Sequence, residues 1–242
     1  NINYKRRVFI ARSKSYHDLV VVIKALNIKY KKEAINEIEI MKITASDNII
    51  QIFDHFTDEN YIYIIMEYAP YGNLYDFYIS GNRRVSDIIA KKLMIQIISA
   101  VKKCHDLNII HRDIKPENFV IGDDNKIKLL DFGQSEFIDK FNSSRQTGTI
   151  EYVSPENLCG KGINPSIDIW CLGIMAYELL VGETPFYDIN DNTNKLNIKH
   201  IIYTFPPYIS DDAKDFISRI LIKEISDRPK IDDLLHHKWL TS

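Results

Sequence analysis

The densest run of chemically capable side chains is His111-Arg112-Asp113-Ile114-Lys115-Pro116-Glu117-Asn118. Asp131-Phe132-Gly133 follows, and the two aspartates lie 18 positions apart. Carboxylates can take up a proton or ligate a hard cation, the asparagine amide adds a further hard oxygen, and the lysine can offset negative charge. A lone Asp-Phe-Gly tripeptide reads as solvated loop. Eight residues in this order, at this distance from Asp131, do not.

Elements that could position these groups are legible around them. Val8-Phe9-Ile10-Ala11 and Leu19 to Leu26 are β-branched runs separated by a polar turn at Arg12 to Asp18. Ala34, Ile35, Ile38 and Met41 recur at helical spacing within Lys31 to Ile43. Ile49 to Phe56 and Tyr61 to Glu67 read as a hairpin across Thr57-Asp58-Glu59-Asn60. Tyr68-Ala69-Pro70-Tyr71-Gly72-Asn73 is a turn-rich connector, after which helical periodicity takes over. Val85 to Leu107 is a long amphipathic helix entered from Ser86 or Asp87. Phe119 to Ile121 and Ile127 to Leu130 form a short β segment about a Gly122-Asp123-Asp124-Asn125 turn. Ile167 to Val181 is apolar on all sides, the mark of a helix at the centre of a lobe. It carries Asp168 and Glu178 and is too short to span a bilayer. The class is therefore α+β: a small, mainly β unit over 1–67 and a larger, mainly α unit over 68–242, with a hinge and a cleft between them.

Composition narrows the partners. The formal net charge is -2 over 242 residues, so neither nucleic acid nor an anionic membrane is expected as the main partner. Three cysteines, Cys104, Cys159 and Cys171, are too few and too scattered for a disulfide framework or a zinc site. They read as thiols of a reducing compartment, and no signal or transit peptide opens the chain, so cytoplasm or nucleus is expected.

On the motifs above, the chain resembles the eukaryotic protein kinase family over nearly all of its length. The resemblance implies a bilobal kinase fold, with an N-lobe at 1–67 holding one key helix and a C-lobe at 68–242. It implies ATP and Mg2+ as cofactors and protein substrates. Asp113 would orient the substrate hydroxyl and accept its proton, and Lys115 would offset charge on the transferring phosphoryl group. Asn118 and Asp131 would hold Mg2+, with Gly133 allowing a sharp backbone turn after the metal ligand. Lys24, at the end of Val21-Val22-Ile23-Lys24, resembles the lysine that grips the α- and β-phosphates. Glu37 is its matching helix partner, with Glu39 the competing candidate. Val8 and Val22 would cover the adenine, Met66 would stand at the back of the pocket, and Glu67 and Ala69 would present backbone groups to the adenine edge.

Gly148-Thr149-Ile150-Glu151-Tyr152-Val153-Ser154-Pro155-Glu156 resembles the end of the activation segment. Thr149 would hydrogen-bond near Asp113 and Lys115, and Lys115 with Thr149 is the Ser/Thr pattern. Glu156 would pair with Arg228, and Asp168 would bind the backbone of the catalytic loop. Met66 to Gly72, Tyr177 to Phe186, Thr204-Phe205-Pro206 and the tail through His237-Lys238-Trp239-Leu240 are similar to Aurora kinases, which implies a cell-cycle role and leaves room for an activating partner protein. Glu117 and Glu178 match positions where basophilic kinases bind arginine, so substrates with Arg or Lys before the target Ser or Thr are expected. Asn73 stands where some relatives carry a third acid.

The pattern also breaks. Asn1, Asn3 and Arg6 occupy the places of the three glycines of the nucleotide loop. One reading is a pseudokinase scaffold. The preferred one takes Asn1 to Tyr4 as the strand before the loop, with the glycines left out before Arg6 or Arg7. Lys24 and Glu37 lie closer together than kinases usually show, which points to a second omitted segment near Asn27 to Lys32. Arg145 stands at the usual activating phosphothreonine, with Ser143, Ser144 and Thr147 nearby and Ser144 the favoured phosphosite. Arg112 would be the cation awaiting that phosphate.

Overall fold

The computed structural model describes residues 6–14, 19–140, 150–160 and 164–242. The β-branched runs of the first part form β1 (Arg6–Arg12), β2 (Val20–Asn27), β3 (Ile52–Thr57) and β4 (Tyr61–Glu67). They make one antiparallel sheet in the order β1-β2-β4-β3. Period-two alternation fixes which side chains face the cleft. Val8 pairs with Lys24, Ile10 with Val22, and Val22 with Met66, so all five lie on one face. The helix α1 (Lys31–Ile43) crosses between β2 and β3 and buries Ala34, Glu37, Ile38, Ile40 and Met41.

Three expectations concern this part. The interval between Lys24 and Glu37, read above as pointing to a segment omitted near Asn27 to Lys32, is spanned here by a short turn. A 3-10 turn at Ile28–Tyr30 leads from β2 straight into α1, and the Asn27 side chain accepts the Lys29 N–H at 3.0 Å. The strand proposed at Asn1 to Tyr4 lies outside the described residues. The strand expected from Ile49 begins only at Ile52. Ile49 and Ile50 are buried, and their backbone turns to a different partner: the Ile50 N–H donates to Leu129 O at 3.0 Å, and the Leu129 N–H donates to Asn48 O at 2.8 Å. Satisfying buried peptide groups across the chain overrides local strand preference here.

Beyond the connector, α2 (Asp87–His105) starts at Ser86, whose Oγ accepts the Ile89 N–H. It buries Ala90, Leu93, Met94, Ile97, Ile98, Val101 and Cys104, the i, i+3, i+4, i+7 stripe of an amphipathic helix. Four short strands follow: β5 (Ile109–Ile110), β6 (Phe119–Ile121), β7 (Ile127–Leu129) and β8 (Glu136–Phe137). They pair as β6 with β7 and β5 with β8. The remaining helices are α3 (Pro155–Leu158), α4 (Ser166–Val181), α5 (Asp191–His200), α6 (Asp211–Ile220), α7 (Ile231–Leu235) and α8 (Lys238–Thr241).

Every residue of α4 from Ile167 to Leu180 is buried. At about 1.5–3 kcal/mol for each large apolar side chain fully removed from water, α4 anchors this helical part. It ends at Gly182 with φ 95°, where a Cβ would meet Asn82 O at 2.8 Å, so only glycine fits. No helix among the described residues is long and apolar enough to cross a membrane.

Glu156 and Arg228 form a buried fork, Nη1 to Oε1 at 2.6 Å and Nη2 to Oε2 at 2.8 Å. The guanidinium also lies 4.9 Å from the Trp170 ring centre. Neither charge reaches water, so each depends on the other. Replacing Arg228→Ala strands the Glu156 carboxylate and is expected to cost about 3–5 kcal/mol in urea unfolding, the range for breaking a buried pair.

Candidate active site

The sheet face, the connector and the β6–β7 hairpin enclose a cleft of about 540 Å³. That is the size of a small-molecule site. Val8, Ile10, Val22, Lys24 and Met66 line it from the sheet; Glu67, Tyr68 and Ala69 from the connector; Asp113, Lys115, Glu117, Asn118, Val120, Leu130 and Asp131 from below. Glu67 turns its carboxylate away, onto Lys128 Nζ at 2.8 Å, and so leaves its backbone at the cleft.

Lys24 lies at the centre. Its Nζ is 2.5 Å from Glu37 Oε1 and 2.8 Å from Asp131 Oδ1. Burial pushes the ammonium's pKa down, but the charges and hydrogen bonds of Glu37 and Asp131 more than reverse this, so Lys24 stays protonated. Glu37 is buried on α1, whereas Glu39 is exposed on another side. Asp131 has a left-handed backbone, φ 62° and ψ 73°. The sharp turn expected of Gly133 thus falls on Asp131. Gly133 supplies room instead: a Cβ there would sit 3.2 Å from Asp131 Oδ1 and 3.6 Å from Glu37 Oε2.

Below the cleft, Asp113 is met on two sides. Lys115 Nζ lies 3.0 Å from its Oδ1, and the Asn118 amide donates to its Oδ2 at 2.8 Å and to its backbone oxygen at 2.7 Å. With its Nδ2 bonded to Asp113, Asn118 has in Oδ1 a hard oxygen that could ligate a cation. Among the described residues no group of three His, Cys, Asp or Glu is placed to hold a metal alone. One carboxylate and one amide oxygen suit Mg2+, which binds through one or two protein oxygens and keeps water and phosphate for the rest.

The loop carrying Asp113 is held from α4. Asp168 accepts the N–H groups of His111 and Arg112, each at 2.9 Å, and contacts His105 Nε2 at 2.9 Å. Burial raises the pKa of Asp168, yet His105, His111 and these bonds bring it below the usual carboxylate range. They hold Arg112 at φ 71°, which is costly for a residue with a Cβ. Burial keeps the His111 ring neutral. Its Nε2 faces Leu130 O at 3.2 Å while its Nδ1 accepts the Asp113 N–H at 3.3 Å. Arg112 itself reaches Glu136 Oε2 at 2.8 Å.

Thr149 and the hydroxyls of Ser143, Ser144 and Thr147 lie outside the described residues. Sequence reasoning passed over Ile10, Val120 and Leu130. Ile10 is two residues from Val8 on the same strand face. Val120 and Leu130 alternate with the buried Phe119, Ile121 and Leu129. Period two was the signal for all three.

Removing the Asp168 carboxylate as Asp168→Ala is expected to speed hydrogen exchange at the His111 and Arg112 amides. It should lower stability by about 1–3 kcal/mol for each buried donor left unpaired, while exchange in β2 and β4 stays unchanged.

The chain matches the protein kinase domain family over residues 7–240. It is similar to Aurora kinase C of Mus musculus, with 32% identity covering 97% of this chain and 86% of the relative. It is also similar to the Aurora kinases of Schizosaccharomyces pombe, at 34% identity over 97% of this chain and 67% of the relative, and of Encephalitozoon cuniculi, at 34% over 97% and 89%. These matches support an enzyme and lend nothing to the scaffold alternative. A β-sheet lobe with one paired helix, a helical lobe and a cleft between them complete the description, and the chain belongs to the protein kinase family as an Aurora-like serine/threonine protein kinase.

Proposed function

We propose that this kinase transfers the γ-phosphate of ATP to serine or threonine hydroxyls flanked by basic residues, with Asp113 as the group that orients the hydroxyl and takes its proton. Lys115 offsets charge on the transferring group, and Lys24, held by Glu37, meets the α- and β-phosphates. Asn118 and Asp131 hold Mg2+. Val8, Val22 and Met66 pack about the adenine, and the Glu67 and Ala69 backbone meets its edge. Residues 1–67 and 68–242 serve as the two lobes, hinged at the connector. Thr149 completes the set next to Asp113 and Lys115. The observation that carries this reading is the convergence of Lys24, Asp131, Asp113 and Asn118 on one cleft. The free thiols fit a cytoplasmic or nuclear enzyme. An activating partner protein is compatible with the Aurora likeness.

Basic substrates are supported by a group of acids, Glu117, Glu151 and Glu178, whose charges act on one another. Glu117 is exposed at the cleft. Glu178 is buried under Tyr152, whose hydroxyl donates to it. Burial raises its carboxyl pKa, the Tyr152 bond opposes this, and Glu117 and Glu151 add to the rise, leaving it at about 7. Burial and the charges of Glu117 and Asp191 also raise Glu151. A guanidinium entering here meets the Glu117 carboxylate at the cleft, with Glu151 and Glu178 adding negative charge nearby.

The test is transfer of labelled phosphate from Mg-ATP to an arginine-containing peptide. Wild type turns over, and Asp113→Asn loses about 10²-fold or more in kcat, the low end for a general base. Absence of transfer by wild type, or equal rates in Asp113→Asn, contradicts the reading. For specificity, a protonated Glu178 cannot attract arginine, so protons compete with the peptide below pH 7. The peptide KM is expected to fall about tenfold from pH 6 to pH 8, following one group near 7. Glu178→Gln, or a peptide without arginine, should flatten that slope.

A further inference from the structure

Arg112 is almost wholly buried, and the chain supplies a carboxylate to it. Glu136 lies five positions after Asp131, on β8. The β5–β8 register places Glu136 opposite Ile110, immediately before His111-Arg112-Asp113. From there its Oε2 accepts from Arg112 Nη1 at 2.8 Å. Side-chain exposure is 8% for Arg112 and 29% for Glu136, so the contact is largely shielded from water. Burial pulls the guanidinium's pKa down, and Glu136 is the first of the charges that offset this, ahead of Asp168. The neighbouring residue strengthens the link. The Ser135 hydroxyl donates to His111 O at 3.3 Å, and Ser135 O accepts from Asn36 Nδ2 at 2.9 Å. Asn36 precedes Glu37 on α1. Residues 135 and 136 therefore join the helix that holds Lys24 to the loop that carries Asp113.

Resting on the kinase reading above, we propose that Glu136 is a positioning residue that stands in for an activation-segment phosphate, holding Arg112 and the catalytic loop in working geometry without phosphorylation. A phosphate would bring nearly two charges and three acceptor oxygens to that arginine. Glu136 brings one charge, but it is fixed by strand pairing on the same segment that ends the Asp131 turn. Its action on the reaction passes through Arg112 and the strained backbone before Asp113, so neutralising it should lower kcat and leave ATP binding alone.

The experiment compares phosphotransfer by wild type before and after phosphatase treatment, by a Ser143→Ala/Ser144→Ala/Thr147→Ala triple variant, and by Glu136→Gln, Glu136→Asp and Arg112→Ala with and without Glu136→Gln. Phosphatase treatment and the triple variant are expected to change kcat less than twofold. Dephosphorylated Glu136→Gln should lose at least tenfold in kcat with its ATP KM within twofold. Glu136→Asp should recover most of the loss, and Glu136→Gln should add nothing to Arg112→Ala. Melting curves with and without ATP verify that each variant is folded, and the phosphatase arm needs no variant. An active wild type that loses activity on dephosphorylation, or a Glu136→Gln enzyme with wild-type kcat, overturns this inference and leaves the kinase reading intact. A wild type inactive in both phosphorylation states overturns the kinase reading and this inference with it.

Discussion

The site depends on one ammonium group placed between two carboxylates that come from distant parts of the chain. Lys24 is 6% exposed, and an ammonium so far from water is tolerable only beside opposite charge. Glu37, on α1, and Asp131, after β7, supply it. Glu37, buried on its helix, would carry a similar penalty without the lysine. The positions of β2 and α1 are thus set together, with the Asp131 turn drawn to the same ammonium, and a shift of β2 or α1 leaves the Glu37 charge buried without its lysine. Gly133 belongs to the same constraint, because a side chain there would crowd the carboxylates.

A second anchor works from below. Arg112 and Asp131 both take positive φ, and each conformation costs roughly 1–3 kcal/mol and persists only because its surroundings compel it. For Arg112 the compulsion comes from α4, a helix buried from Ile167 to Leu180, through the carboxylate it carries at its start. Asp168 turns the rigidity of a packed core into the geometry of a loop that must present Asp113 outward. Core, anchor and the loop carrying Asp113 form one chain of cause, joined through the Asp168 carboxylate.

Much of this was legible in the chain itself. The helix at Lys31 to Ile43 followed from its apolar spacing, and the buried helix around Asp168 from its lack of any polar face. Glu37 was preferred to Glu39 on spacing, and their opposite faces on α1 show why two positions matter. What stayed hidden was settled by contacts at long range. Ile49 and Ile50 looked like strand because their true backbone partner, Leu129, lies far along the chain. The turn at Ile28–Tyr30 went unread because a 3-10 turn with an asparagine cap carries little signal in three residues. Glu136 drew no notice because only the β5–β8 pairing brings it to Arg112. Gly133 was read for backbone freedom, when the left-handed residue is Asp131.

The most direct measurement is the magnesium dependence of ATP binding, followed by calorimetry on the whole chain. The account predicts that Mg2+ tightens ATP binding to wild type and to Asp113→Asn, since the proton acceptor is not a metal ligand. It predicts that Asp131→Asn abolishes that tightening. Failure of wild type to bind ATP, or an undiminished response to Mg2+ in Asp131→Asn, would contradict it.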